Sequence, residues 1–181
     1  MKRIYSLLIP VLVGFFAGCA THSPVQSVEE MREEVKSGLS GIQTEEFVVN
    51  RPFITAYNAV QVNAERCFEV TVTKLSSRDA GTRVESIRYR ADSLMIDETA
   101  GETYLQLDKK DYGKMPEGGY FVMLADIEAI AANKTRVIIY KVLRGYDKVN
   151  HSIVAWAKGS SDECPRFPQE AKDWRFTYHS P

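Results

Sequence analysis

From residue 68 to residue 143 the chain reads as strand after strand joined by short polar turns, and that run limits the possible folds more than any other feature. Phe68-Glu-Val-Thr-Val-Thr73 alternates strictly between apolar and polar side chains. Period-two alternation puts the apolar set on one face of a strand. A polar turn over 76–81 leads into a strand over 82–90, and strands over 93–96 and 103–107 flank a turn at Thr99-Ala-Gly101. After a polar loop over 108–119, two longer strands at 120–131 and 135–143 read as a hairpin around Asn133-Lys134. A meander of this kind pairs antiparallel, because consecutive parallel strands need long crossovers.

Helical patterns bound the meander. Asn50 is placed to cap a helix that tolerates Pro52 in its first turn, and Phe53, Ala56, Tyr57, Val60, Ala64 and Cys67 form its apolar face. A second helix is predicted over 147–158, with Val149, Ile153, Trp156 and Ala157 on one side and Gly159 as its stop. Phe47-Val48-Val49 reads as a short opening strand. The expectation is one α+β domain over 46–181, a curved antiparallel sheet packed against two main helices. This order is similar to the helix-grip arrangement, in which helices lie across one face of a curved sheet. Lipoprotein subunits of the outer-membrane β-barrel assembly machinery contain domains of this kind, as do proteins that bind lipids. Asn50-Arg-Pro-Phe-Ile-Thr-Ala-Tyr57, continued to Cys67, also looks like the opening of small proteobacterial lipoproteins of unknown function; that resemblance brings no catalytic residues. The tail over 160–181 holds an alternating Trp174, Phe176 and Tyr178, which fits an edge strand or a free recognition segment.

The other end of the chain has a different character. Lys2 and Arg3 precede an apolar run over 4–16, broken only by Ser6, Pro10 and Gly14. The run is too short for a spanning helix, which needs about 20 apolar residues, and has the proportions of a secretory signal. It closes on Phe16-Ala17-Gly18-Cys19. This resembles the lipobox of bacterial lipoproteins, with Phe16 where Leu is commonest. The resemblance implies cleavage between Gly18 and Cys19, then a diacylglycerol and an N-acyl chain (palmitate among them) on Cys19. One acyl chain anchors marginally and two or more anchor stably. Ala20 is not the Asp that resembles an inner-membrane retention signal, so the expected location is the outer membrane, on its periplasmic side, rather than the inner membrane.

Residues 1–18 would be the signal peptide and 19–45 a lipidated tether carrying a short helix. In that helix Ser27 and Glu30 fit a capping box, and Val28, Met31, Val35 and Leu39 recur at helical spacing. It would lie loosely on its own domain or serve as a docking helix for a neighbour.

Removing residues 1–18 takes away two bases and no acids, leaving 21 basic and 24 acidic side chains, a net of −3. No basic excess marks a nucleic-acid binder. With Cys19 committed to lipid, Cys67 and Cys164 remain as an even pair for a disulfide in an oxidising compartment. Closing a loop near 100 residues is worth about 4–5 kcal/mol in the chain-entropy picture.

The search for chemistry yields little. His22, His151 and His179 stand outside any metal or catalytic spacing. Gly113-Lys-Met-Pro-Glu-Gly-Gly119 lacks the phosphate-loop pattern, and Asp108-Lys-Lys-Asp111 reads as a solvated face. Arg88 and Arg90 share one side of a strand, with Arg83 on the other, and could contact an anionic ligand.

The expectation is a non-catalytic accessory or assembly lipoprotein of the cell envelope, held to its membrane by lipid and working with another envelope protein. It would take no metal, no nucleic acid and no cofactor beyond the lipid. The alternatives are a binding module for a lipid or other apolar ligand, in a cavity lined by Tyr57, Phe121 or Trp156, and a hydrolase whose site assembles only in three dimensions.

Overall fold

The computed structural model describes residues 25–38, 42–78, 81–109, 118–141, 146–160, 164–167 and 175–179. Along the chain these form α1 (Val28–Ser37), β1 (Gln43–Val49), α2 (Phe53–Phe68), β2 (Val70–Arg78), β3 (Gly81–Met95), β4 (Ala100–Lys109), β5 (Tyr120–Ala131), β6 (Lys134–Lys141), α3 (Asp147–Lys158) and β7 (Arg175–His179). The strands make one seven-stranded sheet in the order β1-β6-β5-β4-β3-β2-β7, and every pairing is antiparallel. The fold is α+β, as the strand run requires.

Side-chain alternation divides the sheet into two faces. On the inner face, Met123, Ala125 and Ile127 of β5 and Val137 and Ile139 of β6 join the apolar sides of α2 and α3 in the main core. All six apolar residues expected on α2 are buried there. Tyr57 lies so close on β4 that a Cβ at Gly101 would stand 2.5 Å from its Cε2, which is why that strand position is a glycine. Helix α3 has the predicted bounds. Gly159 ends it at φ 98°, donating to Trp156, and the Arg51 guanidinium donates to the Ala157 carbonyl at 3.2 Å, favourable at the negative end of a helix dipole.

Cys67 and Cys164 form the disulfide, bridging 97 residues. Beside it Phe68 packs on Trp156 and Phe167, and Phe167 stacks on Tyr89 at 4.1 Å. Residues 164–167 are therefore fastened covalently and by ring packing.

Several boundaries differ from the sequence reading. Pro52, not Asn50, stands at the cap of α2; its carbonyl accepts from Thr55 and Ala56, and no side chain caps the helix. A residue before proline is pushed out of the helical region, so Arg51 is disfavoured as the first helical residue and Asn50 as the cap. Phe68 ends α2 instead of opening a strand. Residues 76–78 continue β2, and the two expected strands over 82–90 and 93–96 are one strand, β3. Asp92, in the gap between the two expected strands, is satisfied within the sheet by the Tyr104 hydroxyl at 3.0 Å, and Ser93 beside it by the Thr103 hydroxyl at 2.8 Å. The alternating tail gives β7, an edge strand on β2; Trp174 lies outside the described residues.

The largest departure is at the start of the domain. Strand β1 begins at Gln43, and α1 is seated on the outer face of the sheet rather than lying loosely upon it.

Candidate functional site

The outer face can be read row by row from the register. Asp92, Tyr104, Leu124, Tyr140 and Thr44 stand opposite one another across β3-β4-β5-β6-β1, and the next row is Leu94, Glu102, Asp126, Ile138 and Glu46. Helix α1 covers the middle of these rows. Val25, Val28 and Met31 are buried with Leu124, against Ile42, Tyr104, Phe121 and Tyr140. Met31 has no exposed surface.

The sequence sets this helix locally. The Ser27 side chain accepts from the Glu30 N–H at 3.0 Å, Glu30 reaches back to the Gln26 N–H at 2.7 Å, and Gly38 closes the helix at φ 65°. Glu29 and Glu30 at its start and Lys36 at its end complement the dipole. Ahead of the helix, the Phe121 N–H donates to the Val25 carbonyl at 3.1 Å, which ties the incoming chain to β5.

Arg32 fixes the helix electrostatically. Glu102 and Asp126 are direct cross-strand partners, an arrangement that repels when left alone. Arg32 inserts between them. Its Nη2 donates to Glu102 Oε2 at 2.5 Å and to Asp126 Oδ1 at 2.5 Å, and its Nε to Asp126 Oδ2 at 3.2 Å. The carboxylates are nearly buried and the guanidinium keeps about a quarter of its exposure. The hydrogen bond to Asp126 raises the Arg32 pKa, outweighing the opposing effect of burial, and Glu102 adds to the rise.

Two tyrosines flank the bridge. Tyr104 is pushed up to about 12 by burial first, then by its hydrogen bond to Asp92 and the charges of Asp92 and Glu102. Tyr140 is also pushed up to about 12, by burial first and then by Asp126. Both stay neutral donors through the physiological range. The arrangement is a charge-assisted clamp: it can hold a segment, and it offers no nucleophile poised beside a base.

The residues singled out from sequence are scattered. Arg88 and Arg90 do share the outer face, since Arg88 stands opposite Asp108 and Arg90 opposite Gln106. Arg88 is exposed, while Arg90 is half-buried with an Nε that has no hydrogen-bond partner. The side chain of Arg83 lies outside the described residues, as do residues 1–24, which include Cys19, Gly18 and His22, and the loop over 110–117. His151 is exposed on α3.

Tyr57, Phe121 and Trp156 do not line one cavity. Tyr57 packs against Phe53 and Trp156 against Phe68 in the main core, whereas Phe121 lies with Tyr104 on the opposite face. The docking reading of α1 changes too: its apolar residues Val28 and Met31 are already spent on the protein's own sheet, and Leu39 is outside the described residues.

Arg32, Glu102 and Asp126 were missed from sequence, separated as they are by 70 and 94 residues. The available signal was Asp126 within the apolar run over 121–127; Glu102 lies in a mixed strand and gives none.

Among the described residues no group of three or more His, Cys, Asp or Glu side chains could hold a metal ion, and no helix is long and apolar enough to cross a membrane. No protein-family model matches the chain, and no curated protein matches it in sequence.

Proposed function

We propose that this chain is an exported lipoprotein, held on the periplasmic side of the outer membrane by a diacylglycerol and an N-acyl chain on Cys19. It works there without catalysis, as an accessory or assembly subunit that acts through contacts with another envelope protein. The observation that carries this reading is the seating of α1. With Val25 tied to β5 and Arg32 clamped, only five residues, or six residue-to-residue steps, separate Cys19 from the rigid body. Six steps reach at most about 20–22 Å. A free tether from Cys19 to Gln43 would be four times as long in steps. The clamp therefore turns a long leash into a short one and keeps the domain beside the bilayer.

The Cys67–Cys164 bridge adds support, because disulfides persist in oxidising compartments such as the periplasm. Tyr57 and Trp156 are packed in the buried cluster between sheet and helices and Phe121 lies on the other face, which gives the apolar-ligand alternative no specific support.

The test is metabolic labelling with palmitate followed by membrane fractionation. The wild-type chain should carry label and sediment with outer membranes, and Cys19→Ala should be unlabelled and soluble. An unlabelled wild-type chain recovered from the cytoplasm would overturn the reading.

A further inference from the structure

Helix α1 covers only part of the outer face. Beyond Arg32 the sheet continues to the tips of the β3–β4 and β5–β6 hairpins, and there it is apolar and bare. Leu94 and Ile96 stand on this face where β3 enters the β3–β4 turn, each more than half exposed. Exposed Ile130 lies at the end of β5, and the neighbouring Ala129 N–H donates to the Thr99 carbonyl of the β3–β4 turn at 2.7 Å, so the two tips are fastened together. Exposed Val48 sits in the same end row, opposite Arg136, which is opposite Glu128 and then Ala100. With neighbouring strands about 4.8 Å apart, Val48 stands about 14 Å from β4 across the Arg136–Glu128 ion pair, so the patch proper is Leu94, Ile96 and Ile130. An apolar patch gathered in one place marks an interaction site in a way that scattered residues do not.

The charges around the patch say what fits it. Asp92, Asp97, Glu98 and Glu46 are exposed at its margin, Lys134 is the exposed base beside them, and Arg136 is neutralised by Glu128 at 2.5 Å. Thr99 hydrogen-bonds Asp97 through its N–H at 2.6 Å and its hydroxyl at 2.8 Å, fixing one of these acids at the tip. An acidic margin repels an anionic lipid surface, and it repels a second copy of itself. The position agrees. The chain comes onto the sheet at Phe121, and the end row at Glu128 lies seven residues, or about 23 Å, farther along β5.

We propose that this hairpin end docks a protein partner whose contact surface is apolar at its centre and basic at its rim. The inference deepens the proposed function, and its membrane geometry rests on the anchor at Cys19.

The experiment places a photo-crosslinking amino acid at Leu94 or Ile96 of the full-length chain in its own membranes. Val62 and Val84, exposed apolar positions away from the hairpin tips, serve as controls. Adducts are identified by mass spectrometry, and the Leu94 and Ile96 experiments are repeated with Asp97→Lys and Glu98→Lys together. All of these positions are exposed, and circular dichroism confirms that each variant is folded. The expected result is one and the same protein captured from Leu94 and Ile96 but not from Val62 or Val84. Its cross-linked residue should lie among Lys and Arg side chains, and the charge reversal should cut the yield at least tenfold. Adducts to phospholipid, adducts to a second copy of this chain, equal capture from all four positions, or no capture would each overturn the docking surface. Palmitate labelling is read on the same samples: adducts without label would remove the anchor and keep the surface, and label without adducts would do the reverse.

Discussion

The two halves of the outer face are built from the same strands by the same alternation, yet they end in opposite states. In the half under α1, apolar side chains and two opposed carboxylates are both answered by the chain itself, through Met31 and its neighbours and through Arg32. In the half at the hairpin tips, apolar side chains and acids stand together with no such cover. The difference teaches that exposure at the tips is not a general property of this sheet. Where the fold needs its outer face closed, it spends a helix, a cap and an arginine on doing so.

The comparison can be broken most forcefully at Met31. Truncating a fully buried methionine costs about 2–5 kcal/mol, so Met31→Ala should open α1 locally and weaken the domain, whereas Leu94→Ala on the bare half should stay within about 0.5 kcal/mol. Urea unfolding of both variants, with amide exchange on α1, checks the pair. Equal effects would mean that the two halves are not distinct.

Next in size is the clamp. Removing one partner of a buried ion pair costs about 3–5 kcal/mol, and the partial exposure of Arg32 lowers that to about 2–3 for Arg32→Ala. Replacing both acids as well (Glu102→Gln with Asp126→Asn) should recover part of the loss, since the repulsion is then gone. Thermal unfolding of the three variants measures this.

The smallest effect concerns pH. Tyr104 and Tyr140 have pKa values raised to about 12 in the folded chain, above the value near 10 of a free tyrosine. A folded state that holds its protons more tightly is fully stabilised below the unfolded pKa. It then loses that stability as pH climbs from about 10 to 12. Stability should fall through this window, and the fall should be shallower in Tyr140→Phe. A mutation confined to the hairpin tips, such as Leu94→Ala, should leave the alkaline slope unchanged.

What was legible in the sequence was local. The apolar face of α2, the bounds of α3 with its Gly159 stop, the β5–β6 hairpin and the even cysteine pair all follow from spacing within a few residues, or from a count. Strand β3 reads as two from sequence, with a gap at Ala91 and Asp92, because the Tyr104 hydroxyl that satisfies Asp92 sits on the next strand. The seat of α1 was not legible for a similar reason. Val28 and Met31 announce an apolar side, but Tyr104, Leu124 and Tyr140 come from three different strands and assemble only when the register is set. Glu102 and Asp126 become neighbours by the same pairing, and nothing in their local sequence points to Arg32. The anionic-ligand reading of Arg88 and Arg90 was correct about the shared side and blind to Asp108 across the ladder.

Helix α1 is part of the domain, clamped by Arg32, while Leu94 and Ile96 at the hairpin end stay exposed. Amide hydrogen exchange on the full-length chain decides this. The account expects the α1 amides to be protected to a degree approaching those of β5, with protection lost in Arg32→Ala and the core of α2 and α3 unchanged. Exchange of α1 at the rate of a free peptide in the wild-type chain would contradict it.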